Sequence, residues 1–162
     1  MNTQTLYQIL KLLHIYGFIT AIGITIANVI AYRQFWRQYA SDRTQGIATF
    51  QVIQKLQIAG GVGMLTVLLA GFGMLAIHGV FTSLLWFQIK LGLVVLIFVN
   101  GFTLGRTSAV GLKTIIEQKQ LIPNEKEFTM AIQQRMQRFL TIQLILFSTI
   151  VILSVFRFNT VQ

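Results

Sequence analysis

His14 and Lys90 lie inside long apolar stretches of this sequence, where charged groups are rare. His14 follows Leu12 and Leu13, and Lys90 lies about 12 Å, at the helical rise, into the apolar stretch 82–104. Neutral imidazole binds haem iron and transition metals. A cation at the membrane centre costs roughly 2.5 to 3.5 kcal/mol and indicates a functional site by default. His14 and Lys90 are therefore candidate binding residues, although a snorkelling Lys90 that lifts its ammonium to the headgroups is the alternative.

The spacing of neighbouring residues predicts partners for His14. Positions three and four apart share one helical face. Helix one presents His14, Gly17, Ala21, Ile24 and Asn28, and helix two presents Gly60, Met64, Val67, Gly71, Met74 and His78. Met74 and His78 are thus candidate second axial ligands of a haem iron bound by His14, with Lys90 pairing a propionate. His78 would have to reach about 10 Å inward.

Each of these residues also has a purely structural interpretation. His14 can be a neutral histidine that bonds another helix, as Asn28, Asn100, Gln143 and Ser154 are also expected to do. His78 can be a turn residue at the headgroup level, and methionines more often pack than coordinate.

The rest of the sequence limits the chemistry. Because there is no cysteine, disulfides, thiolate metal sites and covalent haem attachment are excluded, and any haem would be bound non-covalently. The only acids, Asp42, Glu117, Glu125 and Glu127, lie in polar connections, so the apolar stretches contain no carboxylate pair. No catalytic residues can be identified, and whether the protein is an enzyme is left open.

Composition predicts the elements that position these residues. Of 162 residues, 54% are hydrophobic and only 10% are charged, which is too apolar for a small soluble domain. We predict an all-α integral membrane protein, a single domain over 1–162 that forms a bundle of four transmembrane helices. The predicted spans are 7–32, 58–77, 82–104 and 139–156, with a short turn at 78–81 and a break at Pro123 and Asn124.

The distribution of positive charge predicts the orientation. Most of the thirteen Lys and Arg lie in the two polar connections, 33–57 and 106–138, and the 78–81 turn has none. Both connections should be cytoplasmic and both termini outside, most simply in a bacterial plasma membrane. The net charge of +9 then reflects contact with the lipid bilayer and argues against nucleic-acid binding.

The sequence resembles the HemJ-type protoporphyrinogen oxidases and the CopD-like copper-resistance proteins, which are small four-helix membrane families. The matching residues are Lys11-Leu-Leu-His14-Ile, Ala70-Gly71, Trp86-Phe-Gln-Ile-Lys90-Leu-Gly-Leu-Val, Gly101 and Gly105-Arg106. The resemblance implies that His14 is the haem b-binding histidine and Lys90 the helix-three lysine of the HemJ-type proteins. Those proteins usually have a histidine where this chain has Asn100, so the fold and the haem are implied more strongly than the reaction.

Three functions follow as hypotheses. The first is a haem b protein with a redox or electron-transfer role, an oxidoreductase or its accessory, that exchanges electrons with a membrane partner or quinone. The second is a copper or small-solute transporter that uses histidine, Met64 and Met74. The third is a non-catalytic assembly subunit whose glycine-rich helix two docks a partner helix. The glycine faces also favour a homo-oligomer.

Overall fold

The computed structural model describes residues 2–77, 85–117 and 124–155, and the regular structure in these ranges is helical throughout. In chain order the elements are α1 (Thr3–Ser41), α2 (Arg43–Ile77), α3 (Leu85–Asn100), a π-helical segment (Gly101–Gly105), α4 (Arg106–Glu117) and α5 (Glu125–Val155). Within these ranges, four helices, counting Leu85–Glu117 as one, are long and apolar enough to cross a membrane. The prediction of an all-α chain with four such helices is confirmed. His78, the 78–81 turn and Pro123 lie outside the described residues.

The helices are longer than the apolar spans that locate them. Helix α1 has 39 residues, which is about 58 Å of helix against a bilayer core of about 30 Å. The polar connection 33–57 is helical on both sides of Asp42, and the connection 106–138 contains α4 and the first turns of α5. The predicted bounds therefore mark only the apolar part of each helix. Asn124, predicted as part of a break, has a positive φ of 58° immediately before α5.

A single residue, Asp42, joins α1 to α2. Its backbone N–H donates to the Gln38 carbonyl, 2.7 Å away, at the end of α1. Its Oδ1 accepts from the backbone N–H of Thr44, 2.8 Å away, at the start of α2. The Asp42 carboxylate thus caps the start of α2, and the Asp42 backbone N–H bonds the last turn of α1. A connection this short makes α1 and α2 an antiparallel hairpin.

The chain divides into two compact units, Met1–Phe87 and Gln88–Gln162, which are described separately. In the first unit, glycines allow α1 and α2 to pack closely. A Cβ placed at Gly17 would lie 2.8 Å from the Gly63 carbonyl oxygen, and one at Gly60 would lie 3.1 Å from the Ile24 side chain. Gly17, Ala21 and Asn28 of the predicted α1 face are buried, as expected.

The α2 face that contacts α1 is wider than its predicted stripe. Gly63 and Gly73, which are outside the predicted stripe, also face α1, because a Cβ at Gly63 would lie 3.1 Å from the Gly17 carbonyl oxygen and one at Gly73 would lie 3.0 Å from Leu10. Gly61 has nothing within 4 Å and points away. The two helices therefore share a broad surface along which small residues bring the backbones together.

In the second unit, an amide pair connects α3 to α5. Asn100 Nδ2 donates to the Phe139 carbonyl at 3.1 Å and to Gln143 Oε1 at 2.9 Å. The interhelical hydrogen bonds predicted for Asn100 and Gln143 are therefore confirmed. Ser154 differs, because its hydroxyl donates to Ile150 O of its own helix. Asn28 differs as well, since its Oδ1 is buried and accepts no hydrogen bond from a described residue.

Directly after Asn100 the helix widens into the π-helical segment, in which the Arg106 N–H bonds the Gly101 carbonyl. Beyond it, α4 buries one face containing Ser108, Gly111, Leu112 and Ile115. A Cβ at Gly105 would lie 3.0 Å from the Phe139 ring, which places the end of the π segment beside the middle of α5. The extra residue that a π turn accommodates changes the phase of α4 relative to α3, and such turns are frequent at functional sites.

Candidate functional site

The imidazole of His14 bridges α1 and α2. Its Nδ1 lies 2.8 Å from the Val67 carbonyl oxygen, and the side chain is half-buried. A carbonyl oxygen can only accept a hydrogen bond, so Nδ1 must be the protonated nitrogen. Neutral His14 therefore carries its lone pair on Nε2. The predicted bond of His14 to another helix is confirmed, and its acceptor is a main-chain atom.

This bond has a consequence for metal chemistry. Histidines that coordinate metals almost always donate their other ring N–H to a carboxylate, a backbone carbonyl or water, which fixes the tautomer and the ring orientation. The bond from Nδ1 to Val67 is an arrangement of this type. The structural interpretation of His14 and the ligand interpretation are thus compatible, because they use different nitrogens of the same ring.

Gly71 lies beside the edge of this ring. A Cβ built on Gly71 would lie 3.4 Å from His14 Cε1 and 3.5 Å from Nδ1. This position therefore borders the Cε1–Nδ1 edge of the ring, and Nε2 lies more than 4 Å from it. A larger residue at position 71 would fill the space directly beside Cε1.

Met74 and His78 are the two candidates for a second ligand. Met74 lies on α2, half-buried, three residues beyond Gly71 and thus about 4.5 Å further along the helix axis. It belongs to the same unit as His14. His78 lies outside the described residues, so its role as a second axial ligand stays a prediction.

Lys90 lies on α3, is half-buried, and belongs to the second compact unit. The proximity of Lys90 to His14 therefore stays a prediction from the sequence. Among the described residues no group of three or more His, Cys, Asp or Glu side chains is arranged to hold a metal ion. The described part of the chain therefore offers single donors to a metal rather than a complete set of ligands.

Sequence reasoning identified His14 but missed both the Val67 carbonyl and the place of Gly71 next to the ring. Gly71 and Val67 were on the predicted stripe of α2, so the periodicity contained the signal for their position. Nothing in a residue type indicates which backbone carbonyl will accept a hydrogen bond, because every residue has one.

Comparison of the chain with protein-family models, with curated proteins and with solved structures finds no match.

Proposed function

We propose that this chain is a multi-pass membrane protein that binds haem b through His14 Nε2 and serves in electron transfer, with both termini outside a bacterial plasma membrane. The observation that carries the proposal is the 2.8 Å hydrogen bond from His14 Nδ1 to the Val67 carbonyl. It leaves the lone pair on the nitrogen that axial ligation uses, and it holds the ring between two helices.

The donor set suits a haem better than a bare metal ion. A porphyrin supplies four nitrogens to its iron, so the protein has to provide only one or two axial ligands. The described residues contain no cluster of three candidate metal-ligating acids, histidines or cysteines, which a bare ion such as Zn²⁺ usually needs. In this proposal His14 would hold the haem iron, and Met74 or His78 would supply a second ligand.

The remaining parts of the proposal come from the sequence. Lys90 would pair a haem propionate in the outer half of the membrane, which accounts for a cation in an apolar helix. Haem b, when bound, supplies one-electron chemistry, and a membrane redox partner or a quinone would exchange the electron. The chain's own contribution is to bind, orient and shield the group with apolar helices.

The first test is the absorption spectrum of protein purified in mild detergent, before and after dithionite reduction and with added haem. We expect a Soret band that shifts on reduction and sharp α and β bands. A spectrum without these bands after haem supplementation would contradict the proposal and favour the copper-transport or assembly-subunit hypotheses.

A second prediction concerns the space beside His14. Gly71→Leu fills the position next to Cε1, so we expect haem content to fall by at least about tenfold, the range seen when the surroundings of a ligand are disturbed. Gly61→Leu adds the same side chain ten residues away on α2, where nothing lies within 4 Å. It should retain wild-type haem content, measured as the Soret-to-protein absorbance ratio. Equal haem content in the two variants would show that the Gly71 position does not border the ligand.

A further inference from the structure

Each of the four long helices has an exposed cation where its charge-free stretch ends. We call these residues the boundary cations: Arg33 on α1, Lys55 on α2, Arg106 on α4 and Arg138 on α5. The stretches that they border, 12–32, 56–77, 91–105 and 139–155, contain no charged residue. The boundary cations thus mark the point at which each helix leaves the apolar phase.

Contacts within each hairpin place its two boundary cations at one level. In the first unit, Gln57 Nε2 donates to the Tyr32 hydroxyl at 2.7 Å, so the neighbouring Arg33 and Lys55 lie at similar depths, within about one helical turn. In the second unit, Gly105 packs on the Phe139 ring, which sets Arg106 level with Arg138. Each hairpin therefore presents a pair of cations at its apolar boundary.

The protein supplies no anion to these pairs. None of the side chains of the boundary cations forms a hydrogen bond or an ion pair with a described residue. All four acids of the sequence lie near the connection between the two helices of a hairpin, away from the apolar stretches. Along each helix, the rise per residue puts the nearest acid about 13 to 20 Å from the boundary cation. This distance exceeds the Debye length of about 8 Å at physiological ionic strength. The boundary cations are therefore not neutralised by the chain itself.

Each boundary cation also has an exposed apolar neighbour three or four residues away toward the apolar stretch. These neighbours are Ile30 for Arg33, Ile58 for Lys55, Phe102 for Arg106 and Ile142 for Arg138, with exposures of 66%, 70%, 66% and 39%. A spacing of three or four puts each pair on one helical face. Each long helix therefore has a surface on which a cation adjoins an exposed apolar side chain, with the cation on the side away from the apolar stretch.

We propose that the boundary cations bind the phosphates of anionic phospholipids whose acyl chains lie on the apolar neighbours. An anionic phospholipid joins a negative headgroup to a hydrocarbon chain. The headgroup matches the charge of the boundary cation, and the chain matches the apolar neighbour that follows it along the helix. Three of the four boundary cations are Arg, whose planar fork bonds phosphate oxygens bidentately. A nucleic acid or a free phosphate would use the cations but leave the apolar neighbours uncovered. This inference is independent of the haem proposal.

The test uses the full chain in nanodiscs that contain spin-labelled phosphatidylglycerol or phosphatidylcholine. The wild type should prefer phosphatidylglycerol, at about fivefold per engaged cation if each contributes as a surface Lys or Arg does. Replacing the boundary cations together, as Arg33→Gln, Lys55→Gln, Arg106→Gln and Arg138→Gln, should bring the preference close to one.

The matched control removes the same charge further from the membrane, as Arg37→Gln, Arg43→Gln, Lys113→Gln and Lys126→Gln. It should retain most of the preference. An equal loss in both variants, or a wild type without preference, would overturn the proposal, and so would inorganic phosphate that displaces the labelled lipid. If the quadruple boundary variant fails to fold, the pair Lys55→Gln and Arg138→Gln is measured instead, and an unchanged preference in that pair would overturn the proposal.

Discussion

His14→Ala should remove haem from the purified protein while the helices stay intact. The substitution deletes the proposed axial nitrogen and leaves a space the size of an imidazole next to Gly71. We expect the Soret-to-protein ratio to fall by at least about tenfold, because removing a ligand should cost no less than disturbing its surroundings. Far-ultraviolet circular dichroism should be unchanged, since alanine favours helix more than histidine does.

A control and a rescue make this result specific. Tyr16→Ala truncates a large side chain two residues away that is 61% exposed, and it should retain haem. Added imidazole should restore part of the Soret band of His14→Ala by occupying the vacated space. Full haem content in His14→Ala would show that the axial ligand is a different residue, whatever the spectrum of the wild type.

Gly17→Leu should be among the most destabilising single substitutions in the first unit. A Cβ at this position would lie 2.8 Å from the Gly63 carbonyl oxygen and 3.1 Å from the Val67 backbone nitrogen. Backbone atoms of a helix cannot rotate aside as a side chain can, so α1 and α2 must separate. Overpacking of this kind costs about 1 to 3 kcal/mol even where side chains yield, and we expect a loss at the upper end of that range.

Gly23→Leu is the matched control, because it introduces the same residue into the same helix at a position with nothing within 4 Å. Its stability should equal or slightly exceed that of the wild type, since Gly is a poor helix former. Thermal unfolding in detergent, followed by the loss of monodisperse protein in size-exclusion chromatography, measures both variants. Equal melting temperatures for the two variants would mean that Gly17 does not lie in a close helix contact.

Several parts of the molecule could be predicted from residue periodicity. The face of α1 that contains Gly17, Ala21 and Asn28 followed from spacing alone, because only one side of an amphipathic pattern can face a neighbouring helix. The interhelical hydrogen bonds of Asn100 and Gln143 followed from the cost of an unsatisfied amide in an apolar phase, although the sequence did not indicate that these two residues pair with each other. These predictions concern side chains whose polarity or size differs from that of their surroundings.

Other parts could not be predicted, for identifiable reasons. The continuation of α1 to Ser41 was missed because hydropathy marks only the apolar part of a helix, whereas the full helix depends on backbone propensity and the cap at Asp42. The buried Oδ1 of Asn28 contradicted the expectation that every amide in an apolar helix finds a donor. The π-helical turn after Asn100 has no residue signature that separates it from ordinary helix, apart from the glycines at its two ends.

The hydrogen bond between His14 and Val67 joins a side chain to the main chain, and this has a genetic consequence. Any amino acid at position 67 still presents a carbonyl oxygen, so point mutation there cannot delete the acceptor. A survey of variants would find selection at position 14 and only a preference for size and shape at position 67. Mutational scanning and covariation between positions would therefore detect the histidine that donates this hydrogen bond but not the carbonyl oxygen that accepts it.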